Sequence, residues 1–184
     1  MKLKVITAPA TTPVTLAEAK SFYRVLGSDA DADITRSIEA ATEHAEQITN
    51  RQLSTATYAG YLDGFVSSVK LPKPPLKSVD KVEYIDADGV TQTFTGFTID
   101  DVSVPAVLYF NSTPAGVKTD GTNNVIVTFT SGYDKVPSAI QSWVLIYGLT
   151  LFENRENLVD GVSVNSDKEA YFDHLLDSYR IIPV

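Results

Sequence analysis

The 184-residue sequence contains no cysteine. That absence excludes disulfides and thiolate metal sites, and folding does not depend on redox compartment. Histidine is scarce: His44 and His174 are the only two. Neither shows the HExxH spacing or another paired-ligand pattern, so each reads as a solvated histidine on a helix face. No GxSxG is present, so no nucleophile elbow is indicated. GxxxxGK followed by Ser or Thr, and GxGxxG, are also missing, so no phosphate-cradling loop is expected. Long apolar runs are lacking as well. The most apolar window, Ala139–Phe152, holds Gln141 and Ser142 and is too short to span a bilayer. The start, MKLKVITAPATTP, lacks the apolar run of a signal peptide, which points to synthesis in the cytoplasm.

Basic residues are in the minority. Lys and Arg number 15 against 23 Asp and Glu, a formal net charge of -8. A protein that grips nucleic acid through its phosphates needs clustered Lys and Arg, so that class is disfavoured. An acidic wall repels phosphate, and DNA passing it would slide and not stick. The hydrophobic share, 43%, is enough for a sizeable core. The length suits one domain, or a helical scaffold carrying an insertion.

Residues 1–14 read as an extended arm, because Pro9 and Pro13 forbid a helix. Thr15-Leu-Ala-Glu18 fits a capping box, followed by Leu16, Ala19, Tyr23 and Leu26 at helical spacing and by Gly27 as the left-handed stop. Ser28 to Asp33 opens a second helix, its aspartates at the positive end of the dipole. Ile34, Ile38, Ala41, Ala45 and Ile48 form an apolar seam on it. Such a helix needs a partner, which the first helix or a neighbouring subunit can supply.

The character changes near residue 53. Strand-like stretches follow at 57–62, 66–71, 79–85, 91–95, 97–100, 106–110 and 124–130. Asp86-Ala-Asp-Gly89 is a hairpin turn, and Asp120 to Asn124 is a loop. Leu71-Pro-Lys-Pro-Pro-Leu76 contains PxxP, but its strand-like flanks favour a rigid crossover. Short strands joined by turns predict a small antiparallel sandwich or barrel. Helix returns at Pro137 over 137–154, apolar nearly all round and so expected to be buried on most sides. Trp143 and Tyr147 share one face of it and read as core. Asp167 can cap a last helix over 168–179, and an apolar tail, Arg180-Ile-Ile-Pro-Val184, ends the sequence.

Two acidic groupings need weighing as chemistry. Asp29, Asp31 and Asp33 alternate as at the start of an EF-hand calcium loop. The sixth position should be Gly and the twelfth Glu. Counting from Asp29 gives Ile34 and Ala40, and from Asp31 gives Arg36 and Thr42, so both registers fail. A helix cap is the better reading. The pairs Asp86/Asp88 and Asp100/Asp101 lie in turns, where Asp makes local hydrogen bonds. No catalytic residue, cofactor site or metal site is expected.

The order of the features carries more than any one of them. Pro13-Val-Thr-Leu-Ala-Glu-Ala-Lys20, a short acidic link, then Ile38-Glu-Ala-Ala-Thr-Glu-His-Ala-Glu46 and Thr49-Asn-Arg51 resembles the N-terminal helical pair of phage head–tail connector proteins. Leu71 to Val79 is similar to that family's proline-rich approach to its β region, and Tyr84 to Gly89 to its hairpin. Val127 to Tyr133, Val136-Pro137 and Leu151 to Glu156 resemble its closing strand and the two ends of its long helix.

The resemblance implies an α+β fold: a helical domain of residues 15–53 and 137–179, a β domain of 54–136 inserted between, an N-terminal arm and a tail at 180–184. It implies a structural virion protein in the neck, between capsid portal and tail, and not an enzyme. The implied assembly is a homo-oligomeric ring, a dodecamer, under the portal protein. DNA crosses its lumen without specific binding, and later neck or tail-completion proteins dock on it. No membrane is involved. The expected portal contact is Tyr179, Arg180, Ile181, Ile182, Pro183 and Val184. The expected subunit interface is the seam of Ile34, Ile38, Ala41, Ala45 and Ile48. Two other readings remain: another virion part, such as a tail-completion or tube protein, and a soluble ligand-binding module.

Overall fold

A computed structural model of the chain describes residues 1–153 and 174–181. Its elements are β1 (Lys2–Thr7), α1 (Leu16–Tyr23), α2 (Asp31–Thr49), β2 (Ala56–Leu62), β3 (Ser68–Lys70), β4 (Leu76–Ile85), β5 (Thr91–Phe94), β6 (Phe97–Asp100), β7 (Val107–Phe110), β8 (Val125–Ser131) and α3 (Ser138–Glu153). A further helical stretch covers 174–177. The chain divides into a β unit, Met1–Ala10 with Thr55–Tyr133, and a helical unit, Thr11–Ser54 with Asp134–Val184.

In the β unit, strands alternate because apolar residues alternate. β8 buries Val125, Val127, Phe129 and Ser131 and leaves the residues between them half-buried. It is the central strand of a five-stranded antiparallel sheet ordered β1-β2-β8-β4-β5. A second sheet is ordered β3-β7-β6. The two share one apolar core, in which Tyr58, Val82, Phe94, Val127 and Phe129 of the large sheet meet Leu108 of the small one and Leu71. Phe65 joins them by edge-on contacts to Phe94 and Phe110, at 4.9 and 5.1 Å between ring centres.

All seven strand-like stretches read from the sequence are strands. The proline-rich stretch, as expected, carries the chain from β3 in one sheet to β4 in the other. The turn at Asp86 also holds. Its Oδ1 accepts the amides of Asp88 at 3.1 Å and Val90 at 2.8 Å, and Gly89 takes a φ of 81°. The arm expected over residues 1–14 is different. Residues 2–7 are a strand, β1, paired antiparallel with β2 from Lys2↔Tyr61 to Thr7↔Thr57. Its prolines come after it, so nothing removes a ladder donor within it.

The chain passes between the units three times, at 10/11, 54/55 and 133/134. Thr7 pairs with Thr57, and Ala56 with Ser131. The last residues of β1 and β8 and the first of β2 therefore lie side by side at one end of the large sheet.

In the helical unit, the capping box at α1 is complete. The Thr15 hydroxyl accepts the Glu18 amide at 3.2 Å, and the Glu18 carboxylate accepts the Thr15 amide at 2.8 Å. The helix stops earlier than Gly27: Arg24 takes the left-handed cap position, with φ 56°. Gly27, also left-handed, sits in the following loop. Its carbonyl accepts from the Lys20 ammonium, which also meets the Asp31 carboxylate. α2 begins on Ala30 with no side-chain cap, so its aspartates act through the dipole and Lys20 and not as caps.

α2 and α3 pack together, with α1 against both. α3 buries one stripe, Ile140, Trp143, Val144 and Gly148, and not most of its circumference. Leu145, Ile146 and Leu149 are half-buried, and Leu151 is 37% exposed. Past α2, the Glu46 carboxylate accepts from the buried Gln52 amide at 2.7 Å and from the Leu53 N–H at 2.9 Å. Those two bonds satisfy donors at the point where the chain leaves the helices. Among the described residues, no helix is long and apolar enough to cross a membrane. The expected Asp167 cap and the first part of the last helix lie outside the described residues.

Candidate functional site

The acidic groups that could pose as chemistry point to other work. Asp31 meets Lys20 at 2.5 Å, while Asp33 faces Arg36 at 3.6 Å, so the alternating aspartates do not converge on one point. Asp100 holds its own turn, accepting the amides of Val102 and Ser103 at 3.1 Å each and the Ser103 hydroxyl at 2.6 Å. Those bonds, led by the Ser103 hydroxyl, hold its carboxyl below the usual range. Asp86 is lowered likewise, first by the Gln92 amide and then by the Val90 N–H. Asp63 is lowered by the Asn123 N–H and by Lys2. Each of these carboxylates stabilises a turn or a strand end. Among the described residues, no three or more His, Asp or Glu side chains gather where they could hold a metal ion.

The two histidines differ from each other. His174 is exposed and lies 3.0 Å from Asp177. His44, expected on a solvated face, is half-buried and stacks on Tyr147 at 5.0 Å and beside Trp143 at 5.7 Å. Trp143 and Tyr147 stack on each other at 4.7 Å. The set is an aromatic lock between α2 and α3. Nothing in the α2 sequence alone names that partner.

What remains is surface. The seam expected to meet a neighbouring subunit is internal: Ile34, Ala41 and Ala45 are fully buried, Ile38 is 2% exposed, and Ile48 is half-buried. α3 of the same chain covers it, with α1, so it is core and not an interface. Of the expected portal contact, Ile182, Pro183 and Val184 lie outside the described residues. Tyr179 and Ile181, on either side of Arg180, are bound by their backbone to the end of α2. The Tyr179 carbonyl accepts from Arg51 at 2.7 Å, the Ile181 carbonyl accepts from Asn50 at 2.8 Å, and the Ile181 N–H donates to Thr49 at 3.1 Å. The Arg180 side chain is exposed, and those of Tyr179 and Ile181 are half-buried.

Among the exposed apolar side chains elsewhere, three groups lie close together in sequence. β1 shows Leu3, Val5 and Ile6 at 38%, 51% and 54%. The end of α1 and the connection after it show Phe22 at 48% and Leu26 at 95%. The β6–β7 loop shows Val102 at 88% and Val104 at 57%. The first two escaped the sequence reading, which took Leu26 for helix core and residues 2–7 for a loose arm. Exposed apolar groups that lie together are the kind of surface that meets other macromolecules.

Comparison with known proteins agrees with that description. No protein-family profile matches the chain, and no curated protein matches it. Its fold is similar to solved structures over its whole length. A chain from the neck of an empty gene transfer agent (GTA) particle, computed with C6 symmetry, shares 20% identity at a TM-score of 0.81, covering 100% of this chain and 97% of that one. A chain from the virion of the native GTA particle gives 21% and 0.79 with the same coverage. One from the neck of the native particle, computed with C12 symmetry, gives 21% and 0.76, again with the same coverage. At such identity the likeness is one of fold, and it takes in both units of the chain.

Proposed function

We propose that the chain is a structural neck protein of a phage-like particle: a head–tail connector that forms a ring under the portal, lets DNA through, and gives later neck or tail proteins a surface to dock on. One observation carries the reading. The fold of both units, in this order, is the fold of chains from GTA particles, two of them from the neck, at TM-scores of 0.76 to 0.81. The ordered resemblance of residues 13–156 to head–tail connectors points the same way. The C6 and C12 symmetry of those necks supports a ring, with a dodecamer as the natural count. The net charge of -8 suits a lumen that DNA slides through. The carboxylates of Asp63, Asp86 and Asp100 are engaged in their own turns and strand ends, which gives the ligand-binding reading no support there. α1, α2 and α3 disfavour a tube protein, which is mostly β.

Removing the gene tests the reading. The expected result is DNA-filled heads and free tails that do not join, with joining restored by the intact gene in trans. Complete tailed particles formed without the chain would overturn it.

A further inference from the structure

We infer that the two free edges of the five-stranded sheet, β1 and β5, pair with each other between adjacent copies of this chain, so that one sheet runs on into the next. The inference rests on the ring reading above and names the surfaces that would close the ring.

Among the described residues, β1 has a neighbour on one side only, as has β5. All six residues of β1 are exposed, which means that the strand is uncovered on both faces. An edge that long, with Leu3, Val5 and Ile6 open to water, is a template for another strand. At the opposite edge, Thr91, Gln92 and Thr93 are exposed, and Val90 before them is 53% exposed.

Strand direction decides which edges fit. β1 to β2, β2 to β8, β8 to β4 and β4 to β5 are all antiparallel. Four reversals leave β1 and β5 running the same way. A ring needs one surface of each subunit to meet a different surface of the next. The two edges of one sheet are such a pair, and rotation about a ring axis keeps strand direction, so β5 and the neighbour's β1 would lie parallel. Self-pairing of β1 with β1 would instead close a two-fold dimer and stop.

Charge favours the same arrangement. Parallel alignment brings the start of β1, with the exposed Lys4, beside the start of β5 and the turn that carries the exposed Asp88. Lysine against carboxylate is attractive there.

The lack of native cysteine makes a direct test possible. Within one chain β1 and β5 are four strand spacings apart, about 19 Å by the usual separation of about 4.8 Å. A short bis-maleimide cannot bridge that distance. Rings of the full chain bearing L3C and T91C together, treated with such a reagent, should run as a ladder of multimers on a denaturing gel, and either single variant should not. Val5→Lys, at an exposed position, should leave the melting temperature within a few degrees of wild type and abolish the rings. Intact rings that give only monomers on the gel would overturn the edge pairing and leave the ring reading standing. Dimers from L3C alone would overturn it in favour of self-pairing. Particles with no ring of this chain at all would remove the ring reading, and this inference with it.

Discussion

Gly148 of α3 lies directly against the hydroxyl of Tyr23 in α1: a Cβ at Gly148 would sit 2.5 Å from that oxygen and 3.5 Å from the Ser37 carbonyl oxygen. Tyr23 is 9% exposed and stacks on Phe152 at 6.0 Å, so it has little room to yield. Its hydroxyl has no full hydrogen bond, and the Ser37 hydroxyl offsets only part of the burial that pushes its phenol up.

Gly148→Ala therefore sets two effects against each other. Overpacking costs about 1–3 kcal/mol, while helix propensity returns about 1 kcal/mol. The expected outcome in urea unfolding is a net loss for Gly148→Ala alone and a smaller loss, or a gain, in the Tyr23→Phe background. Strictly additive effects would show that the two residues do not compete for the space.

The α2 seam is a second test of placement. Ile38→Ala should lower the unfolding free energy by about 2–5 kcal/mol, since the side chain is core. A variant as stable as wild type that fails to form rings would return the seam to the surface.

Acid should weaken the turns. Asp86 and Asp100 have carboxyls lowered from 3.8 by hydrogen bonds that favour the charged form. A group whose folded value is depressed adds stability above its unfolded value, and that stability is lost as pH falls through the folded one. The urea midpoint should therefore drop between about pH 5 and pH 3, and Asp86→Asn should make that drop shallower. An unchanged slope in the variant would show that Asp86 contributes nothing to it.

The tail calls for a cut at a chosen point. Ending the chain after Ile181 spares the bonds from Thr49, Asn50 and Arg51. The truncated protein should melt like wild type and fail to attach to portal-bearing heads, and Arg180→Ala should weaken attachment without unfolding. Normal attachment of both would place the portal contact elsewhere.

The strands were legible because β8, and largely β2, bury alternate residues, which writes a period of two into the sequence. β1 was not, because a strand exposed on both faces has no such constraint. Its lysines and the prolines after it looked like an arm. Amphipathic spacing told that α2 buries a face, and could not tell against what: Ile34 and Ile38 carry the same pattern whether α3 or another subunit covers them. The helix stop at Arg24 was hidden for a related reason. Gly27 has the better conformational preference, yet the chain turns three residues earlier, where Val25 N–H and the Arg24 N–H both return to the Lys20 carbonyl. Exposed Leu26 and Val102 look, in sequence, like any other apolar residue.

The three passages between the units have a mechanical consequence. β1, β2 and β8 all connect to the helical unit from the same end of one sheet. A pull on that end directed along the strands would strain many inter-strand hydrogen bonds at once, and not open them one after another. A tug on any one connection is thus shared with its two neighbours.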